Sequence, residues 1–212
     1  MRRVKMLAAL FADLKEDEIL SCIADKLREG ADPRQILEDC IKGMHAVMDR
    51  YEKGEYFIAD FIFAIKLYEK IESLIEPLLQ QERTYVGKVV VGAVKNDIHH
   101  AGKDLVGLTL KSVGFQVFNL GYDVPSERFI EELRRTGASI LCLSASVGDA
   151  LPYMLETVKM VKQIFPNVKV VIGGGVTDNF LKEVAGADAW TIDLVEAAKI
   201  CLKFAERKHD GR

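Results

Sequence analysis

The segment Asp97-Ile98-His99-His100-Ala101-Gly102-Lys103 sets an aspartate two residues before a histidine, just past the apolar run Val89-Val90-Val91-Gly92-Ala93-Val94. A carboxylate so placed can bond one ring nitrogen of His99 and fix its tautomer, leaving the other nitrogen for a metal. Two further segments carry groups such a site could use. Leu143-Ser144-Ala145-Ser146-Val147-Gly148 offers hydroxyls, and Ile172-Gly173-Gly174-Gly175-Val176-Thr177 offers bare backbone against which a long or planar ligand can lie. Each segment also has a plainer reading. The Asp–His pair can be an ordinary surface pair, the serines helix caps, and the glycines a tight turn. Nucleotide patterns are missing: no GxGxxG follows the first strand and no GxxxxGK[ST] occurs, since Gly87 and Gly92 are followed by Ala93.

These loops need a sheet to bring them together. After a polar stretch at Gln80-Gln81-Glu82-Arg83-Thr84, short β-rich runs alternate with helical ones. Strands are expected at Lys88–Val94, Gln116–Leu120, Ser139–Leu143, Val168–Ile172 and Ala189–Ile192. Helices fall between and after them, at about His100–Val113, Ser126–Thr136, Pro152–Phe165, Asn179–Val184 and Leu194–Glu206. Gly114, Gly137 and Gly186 stand where helices should stop. Strict alternation predicts a doubly wound, flavodoxin-like (Rossmann-type) α/β domain with a five-stranded parallel sheet over residues 85–212. The three loops then meet at the carboxyl edge of that sheet, where open α/β sheets hold ligands.

Residues 1–84 have a different period. Asp17-Glu18-Ile19-Leu20 opens a helix, and Asp32 caps another with Pro33 in its first turn. Apolar positions recur near every 3.6 residues at Ile36, Leu37, Cys40, Ile41, Met44, Val47 and Met48. A further stripe runs through Ile58, Phe61, Ile62, Ile65, Tyr68, Ile71, Ile75 and Leu78, interrupted near Pro77. Such stripes bury only against one another, so a small antiparallel helical bundle is expected.

Bulk properties narrow the function. The 212 residues are 49% apolar, enough for a packed core, and the formal charge of −3 argues against a nucleic-acid binder. No apolar run approaches a membrane span. Met1–Asp13 faintly resembles a signal peptide but leads straight into an acidic helix start, and reads as a first helix. Cysteines 22, 40, 142 and 201 form no CxxC pair and read as thiols of a cytoplasmic protein.

In order and spacing, these segments resemble the cobalamin-binding corrinoid proteins of methyltransferase systems, relatives of the cobalamin module of methionine synthase. The pattern there is DxHxxG, then SxL, then GG. Asp97, His99 and Gly102 complete the first, and Gly173 and Gly174 meet the last. Asn119-Leu120-Gly121-Tyr122-Asp123-Val124-Pro125, Gly186-Ala187-Asp188-Ala189 and the helix junction Glu52-Lys53-Gly54-Glu55-Tyr56-Phe57 match as well.

The resemblance implies cobalamin (methylcobalamin or another corrinoid) bound with its own base displaced. His99 is then the lower axial ligand of cobalt and Asp97 the partner of its ring. The cofactor would be bound further by Ile98, His100, Ala101, Gly102, Leu105, Gly121, Tyr122, Ser144, Ala145, Ser146, Val147, Gly148, Gly173, Gly174, Gly175 and Val176. The bundle would cap the upper face, with Phe57 and Leu67 toward the methyl group, although plain bundle core explains both residues equally well. His100 is expected to face outward and is the competing ligand. Trp190 is placed near the slot by analogy, with core as the other reading.

The chain departs from the pattern at Ser146 in place of leucine, Gly148 in place of threonine, and Ala150 in place of a serine or threonine. The last change removes the hydroxyl that extends the His–Asp pair, leaving water or Asp149 as the expected substitute. The implied role is a non-catalytic carrier cycling between Co(I) and methyl-Co(III), with a hinge at residues 80–88. Its partners would be a substrate-specific methyltransferase, an acceptor methyltransferase and a reductive activator, with no nucleic acid or membrane. The alternative is a cobalamin-responsive sensor or a storage protein.

Overall fold

The computed structural model describes residues 7–79, 83–99 and 101–209. Two compact units divide the chain: Met1–Thr84 with Ser112–Gly114, and Tyr85–Lys111 with Phe115–Arg212.

The first unit is helical: α1 (Leu7–Ala12), α2 (Glu16–Arg28), α3 (Pro33–Glu52) and α4 (Ile58–Ile75). Asp32 caps α3 through the Arg34 N–H at 2.9 Å, with Pro33 at the first helical position. The expected stripe on α3 is buried at Ile36, Leu37, Cys40, Met44, Val47 and Met48. α1 crosses α3 closely at Gly43, where a Cβ would stand 2.5 Å from that of Phe11. Arg50 then holds the end of α1. Its guanidinium donates to the Ala12 carbonyl at 2.7 Å, the Tyr56 hydroxyl at 2.8 Å and the Asp13 carboxylate at 3.0 Å. The interruption at Pro77 is a 3₁₀ turn, Glu76–Leu78. Of the expected hinge, residues 80–82 lie outside the described residues, as do residues 1–6 of the expected first helix. Arg83 is tied back to α4 through Glu72 (2.5 Å) and Tyr68.

The second unit alternates β1 (Lys88–Ala93), α5 (Ala101–Ser112), β2 (Gln116–Asn119), α6 (Ser126–Thr136), β3 (Ile140–Ser144), α7 (Leu151–Ile164), β4 (Lys169–Gly173), α8 (Asn179–Ala185), β5 (Ala189–Trp190) and α9 (Leu194–His209). All pairings are parallel, in the order β2-β1-β3-β4-β5. The central strands are apolar at successive positions because both faces are covered. One face packs Val90, Leu141, Val170 and Ile172 against Phe129 and Leu133 of α6 and Met154 and Val158 of α7. α6 stops at Gly137 and α8 at Gly186, both left-handed, as expected.

β1 and β2 each end one residue earlier than expected, and β5 two. β5 ends at Trp190, not Ile192. The Thr191 N–H still reaches the Ile172 carbonyl at 3.0 Å, but the Thr191 hydroxyl then accepts the Asp193 N–H at 3.0 Å and turns the chain. Asp193 accepts the Glu196 N–H at 2.8 Å and starts α9. The residues released from the strand become a wall of the site.

Candidate functional site

β1, β3 and β4 end side by side, with Ala93, Ser144 and Gly173 in register. The winding reverses between β1 and β3, so the loops after them part and leave a crevice. A cavity of about 640 Å³ opens there, between the sheet, the start of α5 and the start of α9. That volume suits a small-molecule cofactor.

Asp97 lies behind this cavity with its side chain fully buried. Oδ1 accepts the backbone N–H of His99 at 2.9 Å and meets His99 Nδ1 at 2.8 Å. Oδ2 accepts the Ser146 N–H at 2.6 Å. An ionised carboxylate can only accept, so the His99 proton belongs on Nδ1 and the lone pair on Nε2. The imidazole is 60% exposed at the cavity rim. The loop holding it is laced to the next one. Asp123 donates its N–H to the Asp97 carbonyl at 2.9 Å, and its carboxylate accepts the Asn96 N–H at 2.8 Å.

The Ser146 N–H is a partner of Asp97 that the sequence reading did not name. Neither Asp149 nor a hydroxyl at 150 is used: the donor is a main-chain N–H just past the end of β3. Both carboxylate oxygens are thereby engaged, although Ala150 has no hydroxyl to give.

The glycine segment separates into two roles. Gly174 has φ +106°, and a Cβ there would fall 2.1 Å from the Ala145 carbonyl oxygen, so packing of the two loops demands glycine. Gly175 and Gly102 have no atom within 4 Å of a built Cβ, yet both line the cavity. Among the described residues, no packing contact requires either to be bare.

Of the expected binding residues, Ile98, His99, Gly102, Ser144, Ser146, Gly173, Gly174 and Gly175 line the cavity. Ala145 is buried beneath Gly174, and Val147 and Val176 pack against the sheet core rather than the cavity. Leu105, Gly121, Tyr122 and Gly148 also stand outside its lining. Trp190 packs partly buried against the hydrophobic core, the second of its two readings. His100 and the side chain of Ala101 lie outside the described residues. In the first unit, Phe57 is 74% exposed while Leu67 is 3% exposed.

Sequence reasoning missed part of the wall: Lys103, Val106, Cys142, Thr191, Ile192, Asp193, Leu194 and Ala197. The Lys103 ammonium is buried, paired with the Asp104 carboxylate at 2.5 Å, and donates to the Asn119 Oδ1 at 2.7 Å. Its place directly after Gly102, at the start of α5, was the available signal.

Among the described residues, no group of three or more His, Cys, Asp or Glu side chains converges on a point. A metal held here by His99 must therefore bring its other ligands with it, as a macrocycle-bound metal does.

Two family models match the chain, both described as a B12 binding domain, over residues 87–198 and 4–83. The chain is 29% identical over 196 residues to dimethylamine corrinoid protein 1 of Methanosarcina acetivorans, covering 90% of this chain and 92% of that one. It is 27% identical over 197 residues to trimethylamine corrinoid protein 1 of Methanosarcina mazei, covering 88% and 91%. Among solved structures, a cobalamin-binding protein of Desulfitobacterium hafniense superposes with a TM-score of 0.75 at 29% identity, covering 96% of this chain and 99% of that one. The methanol:cobalamin methyltransferase complex of Methanosarcina barkeri shares the fold, with a TM-score of 0.81 at 21% identity and coverage of 96% and 79%.

Proposed function

We propose a methyl-carrier role for this chain, which belongs to the B12-binding corrinoid proteins. It serves a methyltransferase system, binding cobalamin or a related corrinoid base-off with His99 on the cobalt. The observation that carries the reading is the Asp97–His99 pair at the rim of the cavity. When bound, the corrinoid would supply a cobalt able to carry a methyl group from a donor to an acceptor.

The chain's own residues hold and tune that group. Asp97 keeps the proton on His99 Nδ1 and orients the ring, so Nε2 is the ligand offered. The buried carboxylate makes the imidazole a better donor, and the Ser146 N–H moderates the carboxylate in turn. Gly102 and Gly175 leave the slot clear for the displaced nucleotide tail, while Ser144 and Ser146 offer neutral hydrogen bonds to it. Ile98 and Tyr122, 67% and 56% exposed on the two laced loops, give a flat apolar ring a surface to rest on. Of the two residues suggested for the methyl side, Phe57 is exposed on the first unit, whereas Leu67 is buried within it.

The donor and acceptor reactions are assigned to partner methyltransferases. The similarity to dimethylamine and trimethylamine corrinoid proteins favours a methylamine-type donor. The test is methyl transfer. Protein reconstituted with cobalamin and reduced should be methylated by a corrinoid methyltransferase given its methylamine, and then demethylated by an acceptor enzyme. A loaded protein that no such enzyme methylates would refute the carrier role and leave sensing or storage.

A further inference from the structure

Two of the four cysteines meet inside the second unit. Cys142 lies on β3 and lines the cavity; Cys201 lies on α9 and is fully buried. Their sulfurs are 3.8 Å apart. A disulfide needs about 2.05 Å, so closure calls for an approach of about 1.8 Å between a strand and the helix packed on it. The two thiols are not equivalent. The hydrogen bond between the two thiols, with burial, pushes the Cys201 thiol well above its usual range. Cys142, unlike Cys201, also lines the cavity, which opens a route to it for a small solute.

We infer that Cys142 and Cys201 form a reversible disulfide site entered through the cofactor cavity, open in the cofactor-free protein and shielded when the cavity is filled. With hydrogen peroxide as oxidant, the Cys142 thiolate attacks one peroxide oxygen. An S–O bond forms, the O–O bond breaks, and the departing hydroxide leaves as water with the thiol's proton. Cys201 sulfur then displaces the sulfenic oxygen, which takes the second proton and leaves as a second water. Two thiols are oxidised by two electrons, and one peroxide is reduced to two waters. A dithiol reductant reverses the bridge by exchange. The bridge would draw α9 toward β3. Both elements wall the cavity, through Leu194, Ala197 and Cys142, so oxidised protein should load cofactor poorly until it is reduced.

The shielding and the loading effect rest on the proposed function; the disulfide itself does not. The experiment treats cofactor-free and hydroxocobalamin-loaded protein with hydrogen peroxide, counts thiols after denaturation, and maps the bridged peptides. Cofactor-free protein should fall from four thiols to two, with Cys142 joined to Cys201. Cys201→Ser should lose that bridge and Cys22→Ser should keep it. Four surviving thiols in the wild type, or a bridge mapped to Cys22 and Cys40 instead, would overturn the site. Loaded protein, its loading seen by absorbance, should keep all four thiols. Equally fast bridging there would overturn the cavity route. Failure to load cobalamin at all would sink the proposed function, while the disulfide in cofactor-free protein would still stand or fall alone.

Discussion

Replacing Gly174 and Gly175 in turn by alanine should divide folding from binding at adjacent positions. At Gly174 the backbone has φ +106°, and an added Cβ meets the Ala145 oxygen at 2.1 Å, its carbonyl carbon at 2.7 Å and its nitrogen at 2.9 Å. The left-handed conformation costs a branched residue about 1–2 kcal/mol. Displacing backbone rather than a flexible side chain adds about 1–3 kcal/mol. Gly174→Ala should therefore lose about 2–5 kcal/mol, a large share of a domain's ordinary stability. Gly175 has no positive φ and no neighbour within 4 Å of its built Cβ. Gly175→Ala should thus change stability by less than about 0.5 kcal/mol. Its methyl group enters the slot, however, and should weaken cobalamin by about tenfold or more, or about 1.4 kcal/mol. Urea unfolding of the cofactor-free proteins reads the first quantity, and an absorbance titration with hydroxocobalamin reads the second. Wild-type affinity in Gly175→Ala, or a wild-type urea midpoint in Gly174→Ala, would refute the division of roles.

Asp97→Asn puts an amide where three donors converge, the His99 N–H, His99 Nδ1 and the Ser146 N–H. It should cost about 2–3 kcal/mol in urea unfolding, and it should also weaken the histidine–cobalt bond in the loaded protein. Asp188 predicts an acid dependence. Burial alone would raise its carboxyl, but Lys162, the Val170 N–H and Lys169 outweigh it and hold the group below its ordinary range. The resulting stability is present above the unfolded-state value of about 4 and is lost as pH falls through the lower folded value. Asp188→Asn should accordingly be about 2 kcal/mol less stable than wild type near neutral pH, with the gap closing in acid as urea midpoints are compared downward from about pH 5.

The parts of the site that were legible in the sequence are those whose chemistry sits in side chains at fixed spacing. Asp97, His99 and Gly102 are of this kind, and the glycine run announced a close approach of backbone. The chain's turn to parallel β/α alternation after residue 84 placed those segments at one sheet edge. What stayed hidden depends on main-chain direction. The Ser146 N–H reaches Asp97 only because β3 ends at Ser144 and the chain turns there. Thr191, Ile192 and Asp193 read as strand or its end until the Thr191 hydroxyl turns the chain early. Nor does spacing distinguish Gly174, which packs against Ala145, from Gly175, which faces open space. Cys142 and Cys201 are 59 residues apart, and only the packing of α9 on β3 brings them within 3.8 Å.

The central claim is that His99 Nε2, set by Asp97, is the protein ligand of cobalt. Its most direct test is electron paramagnetic resonance of the reconstituted Co(II) protein, made with histidine of natural isotope content and with ¹⁵N-histidine. The account predicts splitting by one protein nitrogen that changes with the label, vanishes in His99→Ala and persists in His100→Ala. Splitting that survives in His99→Ala, or is lost only in His100→Ala, would contradict it.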